Sequence, residues 1–112
     1  MVSSIIEKGL GYFTIVIPFS LKVDTPDVEG LLVECEQVLL DRMIDKGVDF
    51  EQMRPKANIA GTSLNAIQAE VKLYPNRTYD SRSVKRMVLP ALIELLQKRN
   101  VLASIEPAEV ER

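Results

Sequence analysis

Chemistry has few places to start in this 112-residue chain, which contains no histidine and a single cysteine, Cys35. The commonest general base and the commonest metal ligand are therefore both missing. Cys35 falls on the apolar stripe of a helix pattern, where a thiol serves as a small buried hydrophobe rather than as a nucleophile. Ser63 follows a glycine and a threonine, but no Gly-x-Ser-x-Gly elbow surrounds it, so it reads as a turn residue. Asp41, Asp45 and Asp49 recur at four-residue spacing, the one arrangement that could gather carboxylates around a hard cation. Arg42 and Lys46 interleave with them, and Gly47 ends the helix before Asp49, so a solvated acidic face is the better reading. Lacking histidine and paired cysteines, the chain has no ordinary zinc site. Gly9-Leu10-Gly11 precedes a strand rather than a helix and does not form a phosphate loop. Asn76-Arg77-Thr78 has the form of a glycosylation sequon but reads as a turn. The expectation is a protein that is not an enzyme, with no catalytic residue, no cofactor and no metal.

Charge narrows the field further. There are 14 basic and 16 acidic residues, for a net charge of −2. Residues 1–56 hold 6 basic and 10 acidic side chains, whereas residues 57–112 hold 8 and 6. The basic excess gathers at Arg77, Arg82, Lys85 and Arg86, at or before the start of a second helix pattern. Cations there oppose the helix dipole, so helix stability does not explain them. No exposed aromatic pattern accompanies them and the chain is net acidic, so nucleic acid is not the expected partner. They are instead a candidate patch facing ions or a partner.

The elements that must position these residues follow from periodicity. At 46% hydrophobic, with this length, the chain is one domain with enough apolar surface for a core. From Tyr12 to Val23, large apolar residues (Phe13, Ile15, Ile17, Phe19, Leu21 and Val23) occupy every second position, the signature of a half-buried strand. Pro18 inside it predicts an edge strand or an interrupted ladder. Asp24-Thr25-Pro26 reads as a helix start, with Asp24 or Thr25 as cap and Pro26 at the first helical position. Val28, Leu31, Leu32, Cys35, Val38, Leu39, Met43 and Ile44 form the stripe of that helix, and Gly47 terminates it. A hairpin follows, with a short strand around Ala57 to Gly61, a turn near Gly61 to Ser63, and a strand from Asn65 to Tyr74 that turns Ile67, Ala69, Val71 and Leu73 to one face. The second helix runs from a cap at Asp80, Ser81 or Ser83 to about Asn100. Pro90 lies in its interior and predicts a kink or a split near Leu89. Val101 to Ile105 is apolar enough for a last strand. The order β-α-β-β-α(-β), with one apolar face per helix, predicts an α+β ferredoxin-like sandwich with both helices on one face of a mixed sheet. Residues 1–11 read as a linker or the end of a preceding β domain, 12–107 as the ferredoxin-like domain and 108–112 as a frayed tail.

The run from Tyr12 to Thr25, Tyr-Phe-Thr-Ile-Val-Ile-Pro-Phe-Ser-Leu-Lys-Val-Asp-Thr, resembles the start of the C-terminal cytoplasmic α/β domain of small-conductance mechanosensitive channels. In that family an alternating strand containing Ile-Pro leads through Asp-Thr directly into a helix of about twenty residues. Gly61-Thr62-Ser63-Leu64-Asn65 is similar to the family's hairpin, and Ile105-Glu106-Pro107 stands in the position of its tail. Two features depart from the pattern: Pro90 interrupts a helix that is continuous in the family, and the tail lacks the usual aromatic residue.

The resemblance implies a homo-heptameric, tension-gated channel that passes ions and small solutes at the cytoplasmic face of the inner membrane. This chain would be a soluble fragment of its cage, attached to the membrane only through N-terminal segments it does not contain. Its work would be assembly and filtering. An interface role predicts exposed apolar strand positions, for which Val16, Pro18 and Ile105 are the candidates. The alternative is a free-standing ferredoxin-like module that binds a ligand or a protein as a dimer. No run approaches the roughly 20 apolar residues of a membrane span, so the chain alone is expected to be soluble.

Overall fold

A computed structural model describes residues 13–49, 53–76 and 78–105. Its elements run β1 (Ile15–Lys22), α1 (Val28–Asp45), β2 (Lys56–Thr62), β3 (Ala66–Leu73), α2 (Ser81–Lys98) and β4 (Leu102–Ile105). This is the expected α+β ferredoxin-like order. The sheet has the strand order β2-β3-β1-β4. Ile15, Ile17, Phe19 and Leu21 of β1 join Ala69, Val71 and Leu73 of β3 in one core with Leu39, Met43, Val88 and Leu92 of the helices. Both helices therefore cover the same sheet face, and no described element covers the other, termed the open face.

Two details of the sheet differ from the sequence reading. The sheet is not mixed, because all three neighbouring pairs are antiparallel. β1 and β2 do run in the same direction, but β3 lies between them, so the two strands joined by the α1 crossover never share a ladder. Nor is β1 an edge strand, since it pairs with β3 on one side and β4 on the other. Pro18 lies inside the β1–β3 ladder, which continues past it without a register shift. It sits opposite Glu70 of β3, whereas described pairing with β4 extends only to Phe19 opposite Ile105.

The helix termini show how local sequence sets the boundaries. The cap of α1 is Asp27, two or three residues later than expected, and its carboxylate accepts from the Gly30 amide at 3.2 Å. Thr25 instead donates its hydroxyl to the Lys22 carbonyl at 2.6 Å, which uses it in the turn leaving β1. Asp27 has φ 47°, and a Cβ at position 30 would lie 2.3 Å from its carboxylate oxygen. Glycine at 30 is thus what allows a left-handed aspartate to reach the first turn. At the other end Gly47 adopts φ +72° as predicted. The Gly47 and Val48 amides return to the Ile44 and Met43 carbonyls, a Schellman closure. α2 is capped by Asp80, which accepts from the Ser83 amide at 3.1 Å. It closes in the same manner on Asn100, with φ 59°.

Side-chain burial departs from the periodic pattern in one stretch of α1. Ile44 is 60% exposed, whereas Leu40 is buried. The buried set Leu31, Leu32, Cys35, Leu39, Leu40 and Met43 is rotated slightly toward β2. α2 runs unbroken through Pro90, so the predicted split does not occur.

Candidate functional site

The open sheet face is built by the outward residues of three strands. Strand register sets them in rows: Val16, Lys72 and Lys56; then Pro18, Glu70 and Asn58; then Ser20, Gln68 and Gly61. Some of its polar side chains pair with one another. The Ser20 hydroxyl donates to Gln68 Oε1 at 3.0 Å, and at the end of β1 the Lys22 ammonium donates to Asn100 Oδ1 at 3.0 Å. Val16, 39% exposed, and Pro18 stand out as apolar groups at its centre. Both were expected from sequence to remain accessible.

Ile105 is placed differently. A bulge in β4 makes Leu102 the partner of Leu21 but Ser104 the partner of Ser20, leaving Ala103 unpaired. The extra residue returns Ile105 to the helix side of the sheet, opposite Phe19, where it packs against the chain's own core. The basic candidates lie elsewhere again. Arg82 and Arg86 are exposed and Lys85 is half-buried along the first turns of α2, in the helix layer. Arg77 lies outside the described residues, as do residues 1–12 and the tail beyond Ile105. The fold therefore separates the two candidate sets, one on the open face and the other on the helix side.

Asp41, Asp49, Asn76 and Ser63, also singled out by type, have structural partners. Asp41 accepts from Gln37 Nε2 at 2.9 Å, one turn earlier on α1. The Asp49 amide donates to the Tyr79 hydroxyl at 3.1 Å, which donates in turn to the Gly47 carbonyl. Asn76 bonds both the Asp49 carbonyl and its carboxylate, at 2.8 and 3.3 Å. Asn76 Oδ1 also accepts from the Thr78 amide at 2.9 Å, a local bond of the kind that turn residues make. Ser63 is likewise a turn residue. Its hydroxyl oxygen accepts from the Asn65 and Ala66 amides, and the turn is Ser63 to Asn65, slightly later than expected.

Cys35 is fully buried, and burial, reinforced by the charges of Glu34 and Glu36, pushes its thiol from 9.0 up to about 12. Such a thiol stays protonated and is not a nucleophile at neutral pH. Its ionisation predicts an alkaline stability limit. The unfolded chain loses this proton near pH 9 and the folded chain keeps it to about 12. Cys35 therefore contributes its full stability below pH 9 and loses it as pH rises, at up to about 1.4 kcal/mol per pH unit. Urea midpoints from pH 8 to 11 should fall more steeply for the native protein than for Cys35→Ala. Parallel slopes would show that the thiol is not responsible.

Sequence reasoning missed a second feature of the open face. Lys56 and Lys72 are directly opposite each other, and Arg54 and Tyr74 flank them in sequence. Met53, Arg54, Lys56 and Tyr74 line a cleft of about 360 Å³ there. The signal was hidden by a bulge in β2, where Ile59 pairs with Ala69 but Gly61 with Gln68, leaving Ala60 over. Counting back from the turn without that bulge puts Lys56 opposite Leu73 and on the wrong face. The free edge of β2 is itself partly closed, because Glu36 of α1 accepts from the Ala57 amide at 2.8 Å.

Comparison with known proteins locates the fold. No family model matches the chain, and no curated protein does. Among solved structures it is similar to a C-terminal segment of the alpha subunit of aIF2 from Pyrococcus abyssi, with a TM-score of 0.52 and 16% identity. That match covers 90% of this chain and 53% of the other, so the chain spans about half the length of that structure. At this identity the likeness is one of fold.

Proposed function

We infer that this chain is the cytoplasmic cage domain of a tension-gated mechanosensitive ion channel, serving subunit assembly and solute filtering rather than catalysis. The observation that carries the reading is the open face of β1. The same run that resembles the channel family, Ile15 to Leu21, buries Ile15, Ile17, Phe19 and Leu21 and leaves Val16 and Pro18 outward on a sheet face that no described element covers. Apolar groups at the centre of an otherwise polar face suit a contact between subunits. The protonated, buried state of Cys35 agrees with a non-catalytic role. Among the described residues no helix is long and apolar enough to cross a membrane, so on this reading the pore and the membrane attachment belong to other segments of the parent protein.

The coding frame upstream of Met1 in the source genome tests this. An open frame encoding apolar spans of about 20 residues followed by a β-rich segment is expected. A stop codon with a ribosome-binding site directly upstream would overturn it. The free-standing module would then take its place, and its open face would be expected to pair with a second copy.

A further inference from the structure

We propose that the corner of the open sheet face formed by Arg54, Lys56, Lys72 and Tyr74 is a binding site for a nucleoside phosphate. The inference is independent of the channel reading and rests on three observations. First, Lys56 and Lys72 are a directly opposed cross-strand pair. Like charges so placed oppose folding, and nothing in the sheet requires them. Second, the cations outnumber their partners. Glu70 reaches Lys72 only at 3.8 Å, and Arg54 and Lys56 have no ion-pair partner among the described residues. Arg54 also borders the cleft that contains Glu36, but that carboxylate is committed to the Ala57 amide. Third, the cleft of about 360 Å³ beside them has a flat, half-buried wall at Tyr74 and a thioether at Met53. The Tyr74 hydroxyl has no hydrogen-bond partner among the described residues.

These groups match the two halves of one ligand. Arg54 and Lys56 supply donors for phosphate oxygens, with Lys72 adding charge from the neighbouring strand. Tyr74 and Met53 offer an aromatic face and a polarisable surface on which a base can lie. Neither half alone uses the whole corner. A bare phosphate would leave the Tyr74 wall empty, and a bare nucleoside would leave the cations unpaired.

The full 112-residue chain, labelled with nitrogen-15, tests this by amide-shift titration with ADP, inorganic phosphate and adenosine separately. Shifts confined to residues near 54–58 and 70–74, with ADP binding about tenfold more tightly than either fragment, are expected. Lys56→Gln should weaken ADP about tenfold while leaving the fold intact, since it removes a like-charge opposition. Tyr74→Leu should narrow the gap between ADP and phosphate. Equal affinity for ADP and phosphate would overturn the nucleoside part, and no saturable shift at millimolar ADP would overturn the site. A single-stranded oligonucleotide that binds far more tightly than ADP, shifting Ser20 and Gln68 as well, would overturn it in favour of a nucleic-acid surface.

Discussion

Truncating Phe19 to alanine is expected to cost about 3–5 kcal/mol, whereas replacing Val16 with threonine, three residues earlier on the same strand, should change stability by no more than about 0.5 kcal/mol. The difference follows from strand geometry. Phe19 is 3% exposed and central in the core, opposite Ala69 of β3 and Ile105 of β4. Its loss removes a ring that the surrounding residues have no means to replace. Val16 projects to the other side, beside Lys72, with one face in water. Against a total stability of about 5–15 kcal/mol, the Phe19 effect could unfold a large fraction of the protein. Phe19→Leu, expected to cost about 1.5 kcal/mol or less, keeps the comparison measurable in that event. Urea midpoints at unchanged m-values give the result directly. A reversed order, with Val16→Thr the costlier change, would mean that β1 has slipped by one residue, which would also bury Pro18 and remove the basis for an assembly face.

That contrast also marks how far the sequence could be read. Alternation in β1 and β3 named both faces correctly within the strands themselves, whereas Val23, counted on the apolar face, lies past the end of β1 and is 55% exposed. Ala69, Val71 and Leu73 are buried, as the pattern required. The start of α2 was narrowed to Asp80, Ser81 or Ser83, of which Asp80 is the cap, and Gly47, at φ +72°, was legible outright because one residue type dominates there. Asp27 was not, because Asp24, Thr25 and Asp27 are all competent caps and only the approach allowed by Gly30 decides among them. The exchange of Ile44 for Leu40 came from where β2 lies against α1, which helix periodicity does not contain.

The candidate sites were less legible, and bulges are the physical reason. A single inserted residue reverses the face of everything beyond it. At Ala103 this moved Ile105 from the expected contact surface into the core. At Ala60 it brought Lys56 onto the open face beside Lys72. Neither insertion leaves a composition signal, since alanine occurs in regular strands as well. Val16 and Pro18 escaped the problem because β1 pairs with β3 without a register shift over its whole length.

Pro90 is the position where local propensity and fold disagree most, and replacing it with alanine is expected to stabilise the protein by about 2 kcal/mol. Proline in a helix interior is about 3 kcal/mol less favourable than alanine, and the greater freedom of the unfolded alanine chain returns about 0.4–1 kcal/mol of that. α2 nevertheless continues through Pro90, and the surroundings explain how. Pro90 and Arg86, the residue four earlier whose carbonyl loses its donor, are both exposed, so water can reach that oxygen. The next carbonyl, that of Met87, accepts from Arg42 Nε of α1 at 3.0 Å. A cation from the neighbouring helix thus braces the turn that proline weakens. Arg42→Met should then cost about 1.5–3 kcal/mol in the native background, the range for a hydrogen bond to a charged group. With Pro90→Ala the turn no longer depends on that bond, and the cost should fall by at least about 0.5 kcal/mol. Four urea curves close the cycle. If the two substitutions add within about 0.3 kcal/mol, Arg42 is not the brace, and α2 carries its proline on core packing through Val88, Leu89 and Leu92 alone.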